Sequence, residues 1–139
     1  MQVQDVVTIS RHKVWIEEPY AIRVIACGDL TEADTDQLAV VMDRVGGGNG
    51  PIIFVQDMSN AGGFTVSMRH RFIGDPRVQR ITDIISYGTN FSIRVFMGLV
   101  IRALKAFNRT VPTIHFVEDE AAARQVLTAR RQRLQRENH

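Results

Sequence analysis

Pro51-Ile-Ile-Phe-Val-Gln56 is a run of four apolar residues between a proline and an amide. It shows no period-two alternation, so it reads as a strand covered on both faces, as in a parallel sheet. The glycine-rich stretch Gly46 to Gly50 precedes it and reads as a flexible turn. Asp57-Met-Ser-Asn-Ala-Gly-Gly63 reads as the loop at its carboxyl end. A strand buried on both sides needs helices above and below it, which places the chain in the α/β class.

Upstream of this strand, Lys13 to Glu18 alternates Val14 and Ile16 with Lys13, Trp15 and Glu17. Tyr20 to Cys27 is rich in β-formers, and Glu18-Pro19 between the two runs suggests a hairpin. Thr31-Glu32-Ala33-Asp34 has the spacing of a capping box, with Asp in the place of Glu. It opens a helix to about Val45 whose buried side is Leu38, Val41, Met42 and Val45. Downstream, a helix is expected from Thr65 to Ile73 with Met68 and Phe72 inward, interrupted by Gly74-Asp75-Pro76. Ile81 to Tyr87 is a strand, Phe91 to Phe107 a third helix and Val111 to Val117 a fifth strand. Glu118-Asp119-Glu120 starts a last helix with acids that suit its positive end.

The order is ββαβαβαβα. It predicts one domain over residues 13–127, with a mixed, mostly parallel five-stranded sheet and antiparallel edges from the hairpin. Residues 1–12 read as an N-terminal extension or extra edge strand, and 128–139 as a basic C-terminal helix extension.

The 139 residues are 45% hydrophobic and 23% charged, enough for an ordinary core. A net charge of +2 makes no electrostatic case for nucleic acid, and the arginine run from Ala129 to Arg136 lacks interleaved aromatics. Nucleic acid is therefore not expected as a partner. Cys27 stands alone, which excludes an intrachain disulfide and fits a reducing compartment. The N-terminus carries an acid and lacks the apolar run of a secretory leader. No stretch approaches the roughly 18 apolar residues of a membrane span. The expected location is the cytoplasm, with peripheral membrane contact allowed.

The third helix is unusual. Ile93, Val95, Phe96, Met97, Leu99, Val100, Ile101, Leu104 and Phe107 fill a wide arc, and Arg94, Gly98, Arg102 and Lys105 form a narrow stripe. No acidic residue occurs from Ile84 to Val117. A surface helix keeps a broader polar face. Two readings remain open: a helix packed in an ordinary core, or a cover over an apolar cavity that also meets a lipid or a partner. On the second reading the ligand- or membrane-facing residues are Phe91, Arg94, Phe96, Met97, Val100, Ile101, Arg102, Leu104 and Lys105. Cations beside a broad apolar arc suit anionic headgroups.

The loop after the central strand lies where open α/β sheets place their sites. Backbone N–H groups at Gly62 and Gly63 would suit an anion, and Ser59, with Thr65 and Ser67, would accept a phosphoryl group oriented by Asp57. The plainer reading, that Asp57 and Ser59 simply make turn hydrogen bonds, is the favoured one. Ser67 and His70 share a helical face, with no carboxylate to complete a triad. His12, His70, His115 and His139 have no ligand spacing, so neither a metal nor a cofactor is expected. No nucleophile–base or acid–base pair can be assembled, so the expectation is a non-enzymatic module.

Gly28-Asp29-Leu30-Thr31, Ile52-Ile-Phe-Val-Gln-Asp57-Met-Ser59 and Val117-Glu-Asp-Glu-Ala-Ala-Ala-Arg-Gln-Val-Leu127 carry a resemblance over residues 13–127. The chain resembles the STAS-like group that includes the SpoIIAA-like proteins. That group is related in fold to anti-anti-sigma factors and to lipid-binding CRAL-TRIO domains. Phosphorylatable anti-anti-sigma factors carry an Asp-Ser-Ser/Thr-Gly-Leu type motif, which Asn60-Ala-Gly-Gly-Phe-Thr-Val-Ser67 lacks. The SpoIIAA-like branch implies a mobile helix, an apolar cavity and membrane association. Expected partners are a lipid or apolar small molecule, a regulatory protein met through residues 57–67, and a second copy of the chain.

Overall fold

The computed structural model describes residues 5–137. Residues 1–4 of the expected extension, and 138–139 with His139, lie outside the described residues. The elements run β1 (Val7–Ile9), β2 (His12–Glu17), β3 (Ala21–Leu30), α1 (Glu32–Met42), β4 (Ile52–Phe64), α2 (Val66–Gly74), β5 (Ile81–Tyr87), α3 (Phe91–Ala106), β6 (Thr113–Val117) and α4 (Glu120–Glu137). The α/β class and the alternating order agree with the sequence reading.

The sheet has six strands rather than five, in the order β1-β2-β3-β4-β5-β6. The added strand is β1, three residues antiparallel to β2 with Ile9 opposite His12. Part of the expected extension is therefore the sheet edge. The β2–β3 hairpin is antiparallel, and β3 to β6 are parallel.

Each parallel strand lies one position further along the sheet than the last. Right-handed crossovers made in one direction put α1, α2 and α3 on the same face. Ile22, Ile52, Phe54 and Ile84 supply the sheet side of that face, against Met42, Ile73, Val100 and Leu104. The other face has α4 for cover, with Ala21, Ile53, Val55 and Ile85 against Ala123, Leu127 and Leu134. Ile52, Ile53, Phe54 and Val55 are all at most 1% exposed. This explains the unbroken apolar run: successive side chains meet opposite helix layers.

The capping box at the start of α1 is formed. The Asp34 N–H donates to Thr31 Oγ1, and the Thr31 N–H donates to Asp34 Oδ2 at 3.0 Å. Asp34 also accepts from Ser10 Oγ at 2.5 Å and lies 3.3 Å from His12 Nε2. His12 is buried, and its Nδ1 accepts from the Cys27 N–H at 2.9 Å, which places its proton on Nε2. One carboxylate thus ties α1 to the β1–β2 edge.

The glycine-rich stretch before β4 is held rather than loose. The Arg80 guanidinium donates to the carbonyls of Met42, Val45, Asn49 and Gly50, each at 2.8 Å. These are the orphan carbonyls at the end of α1 and in the turn, gathered by one planar fork.

No break separates the domain from a basic extension at residue 128. Helix α4 is continuous through that point, and Leu134 is buried against the sheet. Arg131 Nε donates to the Pro19 carbonyl at 2.9 Å, and its Nη2 donates to the Glu17 carbonyl. Arg130 Nε lies 2.8 Å from Asp83 Oδ2, a fully buried carboxylate that also meets His115 Nε2 at 2.7 Å. The basic residues are therefore partly internal, because a sheet face with a single helix needs that helix at full length.

Two predictions follow from these anchors. Leu134→Ala should destabilise the protein by about 2–3 kcal/mol in urea unfolding, through the lost burial and the cavity left behind. Burial pushes the Asp34 carboxyl up, but hydrogen bonds from Ser10 and Thr31 outweigh it, so it sits below the usual carboxylate value. A carboxyl held low in the folded state stabilises above its unfolded value of about 3.9 and loses that contribution as pH falls. Asp34→Asn should cost about 1–2 kcal/mol at pH 7, and the gap from wild type should shrink below about pH 4.

Candidate functional site

Two regions carried the functional expectations: residues 57–67 and the 91–107 helix. The first is not a loop. Strand β4 continues to Phe64, pairing Cys27 with Asn60, Gly28 with Ala61 and Leu30 with Phe64. The extension is possible because β3 is also long and β4 takes up one extra residue against it twice along this stretch, between Asp57 and Asn60 and between Ala61 and Phe64.

Several of its polar groups are engaged within the chain. Asp57 Oδ1 accepts from the Ser59 N–H at 3.0 Å, the turn-like bond of the plainer reading. The Gly63 N–H donates to Asp29 Oδ1 at 2.8 Å. A carboxylate of this chain therefore occupies the place expected for an external anion. Thr65 is the N-cap of α2, its hydroxyl accepting from the Met68 N–H at 3.0 Å. Ser59, Thr65 and Ser67 are exposed. A Cβ at Gly62 would fall 2.3 Å from Asp29 Oδ1 and 3.0 Å from backbone atoms of Gly28 and Asp29. Close strand approach, not anion binding, accounts for that glycine. Behind the strand, burial pushes the Tyr87 phenol up and the Asp57 charge adds to this, opposed by a hydrogen bond with Arg23. The phenol stays protonated at neutral pH.

The residues named on α3 divide between two surfaces. Phe96, Met97, Val100 and Ile101 face an apolar cavity of about 90 Å³ beneath the helix. Its opposite walls include Phe54 and Ile84 of the sheet and Met68 and Phe72 of α2. Phe96 stacks on Phe64, with ring centroids 4.1 Å apart and planes 12° from parallel. Leu104 is fully buried in the main core. Phe91, Arg94, Arg102 and Lys105 are on the outside, with Phe91 81% exposed. Val95 and Leu99 are also exposed, so the outer surface mixes cations and apolar groups. Arg94 lies over the Phe116 ring at 4.6 Å.

Both open readings of this helix are thus partly realised: one side packs as core, and the side next to it bounds a void. The inward placing of Met68 and Phe72 was legible from helical spacing. Met58 was missed as a cavity wall because it stood in an expected loop, and Phe64 because it fell between that loop and the expected helix.

A second concavity lies on the solvent side of the α2–α3 seam. It has a volume of about 560 Å³, with Ile73, Leu99, Ala103 and Phe107 as apolar walls and Arg69, His70 and Arg109 as polar ones. No sequence spacing links those residues. His70 therefore sits beside arginines, not in a triad with Ser67. Among the described residues, no group of three or more His, Cys, Asp or Glu side chains could hold a metal ion, and no helix is long and apolar enough to cross a membrane.

This arrangement of strands and helices matches a solved structure. An uncharacterised protein of the DUF3478 family with a SpoIIAA-like fold, from Shewanella loihica PV-4, aligns with a TM-score of 0.57 over 91% of this chain and 97% of that one. The chain has a SpoIIAA-like fold. At 16% identity the likeness establishes the architecture alone. No family model and no curated protein matches the sequence.

The glycine pair of this SpoIIAA-like sheet offers a direct check. Gly62→Ala should destabilise by roughly 1–3 kcal/mol in thermal or urea unfolding, because the Asp29 carboxylate must leave its bond with the Gly63 N–H and the tightly apposed β3 backbone must give. Gly63→Ala, whose Cβ would make only an ordinary 3.7 Å contact, should cost less. If phosphate restored the stability of Gly62→Ala, the anion-site reading would return.

Proposed function

We propose that this protein is a non-enzymatic binding module that holds an apolar ligand in the cavity beneath α3. The observation that carries the reading is the cavity itself, bounded by α2, α3 and the sheet. Its walls include Met58, Met68 and Met97, unbranched and polarisable side chains that can re-pack around a guest. At about 90 Å³ it is small, so a ligand enters by displacing these side chains or by moving α3. Helix α3 is suited to such movement, because its outer surface already carries exposed apolar groups. Phe91, Val95 and Leu99 beside Arg94, Arg102 and Lys105 would meet anionic headgroups, making a membrane the source of the ligand. The SpoIIAA-like fold supports a binding or regulatory module over an enzyme.

A regulatory protein-interaction role through residues 57–67 is the second reading. It is favoured by Val66, 60% exposed at the start of α2 between the exposed Thr65 and Ser67. An apolar side chain left in water there suits a partner surface.

The cavity reading is tested with a neutral apolar fluorophore, N-phenyl-1-naphthylamine. Wild type should bind it with a blue-shifted emission, and Ile101→Trp, which fills the cavity, should bind it at least tenfold more weakly. Vesicles containing phosphatidylglycerol should retain the wild type, and the Arg94, Arg102 and Lys105→Glu triple variant should float free. Absence of probe binding by the folded wild type would remove the ligand reading.

A further inference from the structure

The groove on the outer side of the α2–α3 seam is separate from the cavity. The two helices stand between the two voids: Met68 and Phe72 line the cavity, while Arg69, His70 and Ile73 line the groove. On α3, Met97 and Ile101 belong to the cavity, and Leu99 and Ala103 belong to the groove. A concavity of about 560 Å³ falls within the usual range for small-ligand sites.

Its chemistry has two parts. Leu99 and Phe107 are 41% and 68% exposed, so apolar surface is left facing water. Arg69 and Arg109 make no ion pair with an acid among the described residues, whereas Arg71, Arg77 and Arg130 all do. No acid lines the groove, and the nearby Asp75 is already held by Arg77. His70 supplies a third cationic group when protonated. An apolar trough whose polar rim is cationic and unpaired is complementary to an anionic amphiphile. The planar fork of arginine matches the two oxygens of a carboxylate. Ala103 and Gly74, small residues on the facing helices, leave the trough open for a chain.

We infer that this groove binds a long-chain carboxylate, with its head held by Arg69 and Arg109 and its chain along Leu99, Ala103 and Phe107. The site is independent of the cavity and does not require α3 to move.

Calorimetric titration of the full chain with dodecanoate, dodecanol and acetate tests this. Dodecanoate should bind at least tenfold more tightly than dodecanol, and acetate should show no binding, because each part of the groove contributes. Arg69→Gln/Arg109→Gln should lose tenfold or more for dodecanoate and leave dodecanol unchanged. Leu99→Asn, an exposed-site change, should weaken dodecanoate with both arginines intact. Ile101→Trp, which fills the cavity, should leave dodecanoate binding as it was. Equal affinity for dodecanoate and dodecanol would overturn the proposal, as would unaltered binding in the double glutamine variant. Loss of dodecanoate binding in Ile101→Trp would also overturn it, by placing the chain in the cavity instead. Circular dichroism of each variant confirms that a loss reports the site and not the fold.

Discussion

The constraint on which this structure depends is the double burial of β4. Four consecutive side chains, Ile52 to Val55, are removed from water on alternating sides of the sheet. Each buried aliphatic side chain is worth roughly 1.5–3 kcal/mol, so neither face can be left open. The crossovers from β3 to β6 supply three helices to one face by their handedness. The opposite face must be covered by whatever follows β6.

That asymmetry explains the rest of the molecule. The face with one helix is tightly closed. Helix α4 spends Ala123, Leu127 and Leu134 on it and adds Arg130 and Arg131 as polar anchors to Asp83, Glu17 and Pro19. The face with three helices has more helix than sheet to cover. Helices α2 and α3 therefore meet incompletely, leaving a cavity toward the sheet and a groove toward solvent. Both candidate binding regions are products of the same seam, although their chemistry differs: the cavity is almost wholly apolar, and the groove has a cationic rim.

The region that looked most like a site by topology turned out to be bound up in the fold. Asp57, Gly63 and Thr65 each use their polar groups within the chain. Asp29 lies thirty-four positions from Gly63 and meets it because β3 and β4 run side by side. Similarly, the buried contacts of Asp34 with Ser10 and His12 join residues more than twenty positions apart. Local spacing revealed the capping partner Thr31, but no local signal could reveal the other two.

The sequence by itself determined most of the element types, the mostly parallel sheet and the inward faces of α1 and α2. These follow from periodicity, capping residues and the unbroken apolar run, all of which act over a few residues. It also marked α3 as a helix with too little polar surface. Only the tertiary structure decided that α3 divides its apolar arc between core, cavity and solvent. It also decided that β4 runs on through its glycines, and that the arginines of α4 serve the sheet. Those outcomes depend on which distant groups share a surface, and burial and hydrogen-bond pairing across strands are set by the packed chain, not by spacing along it.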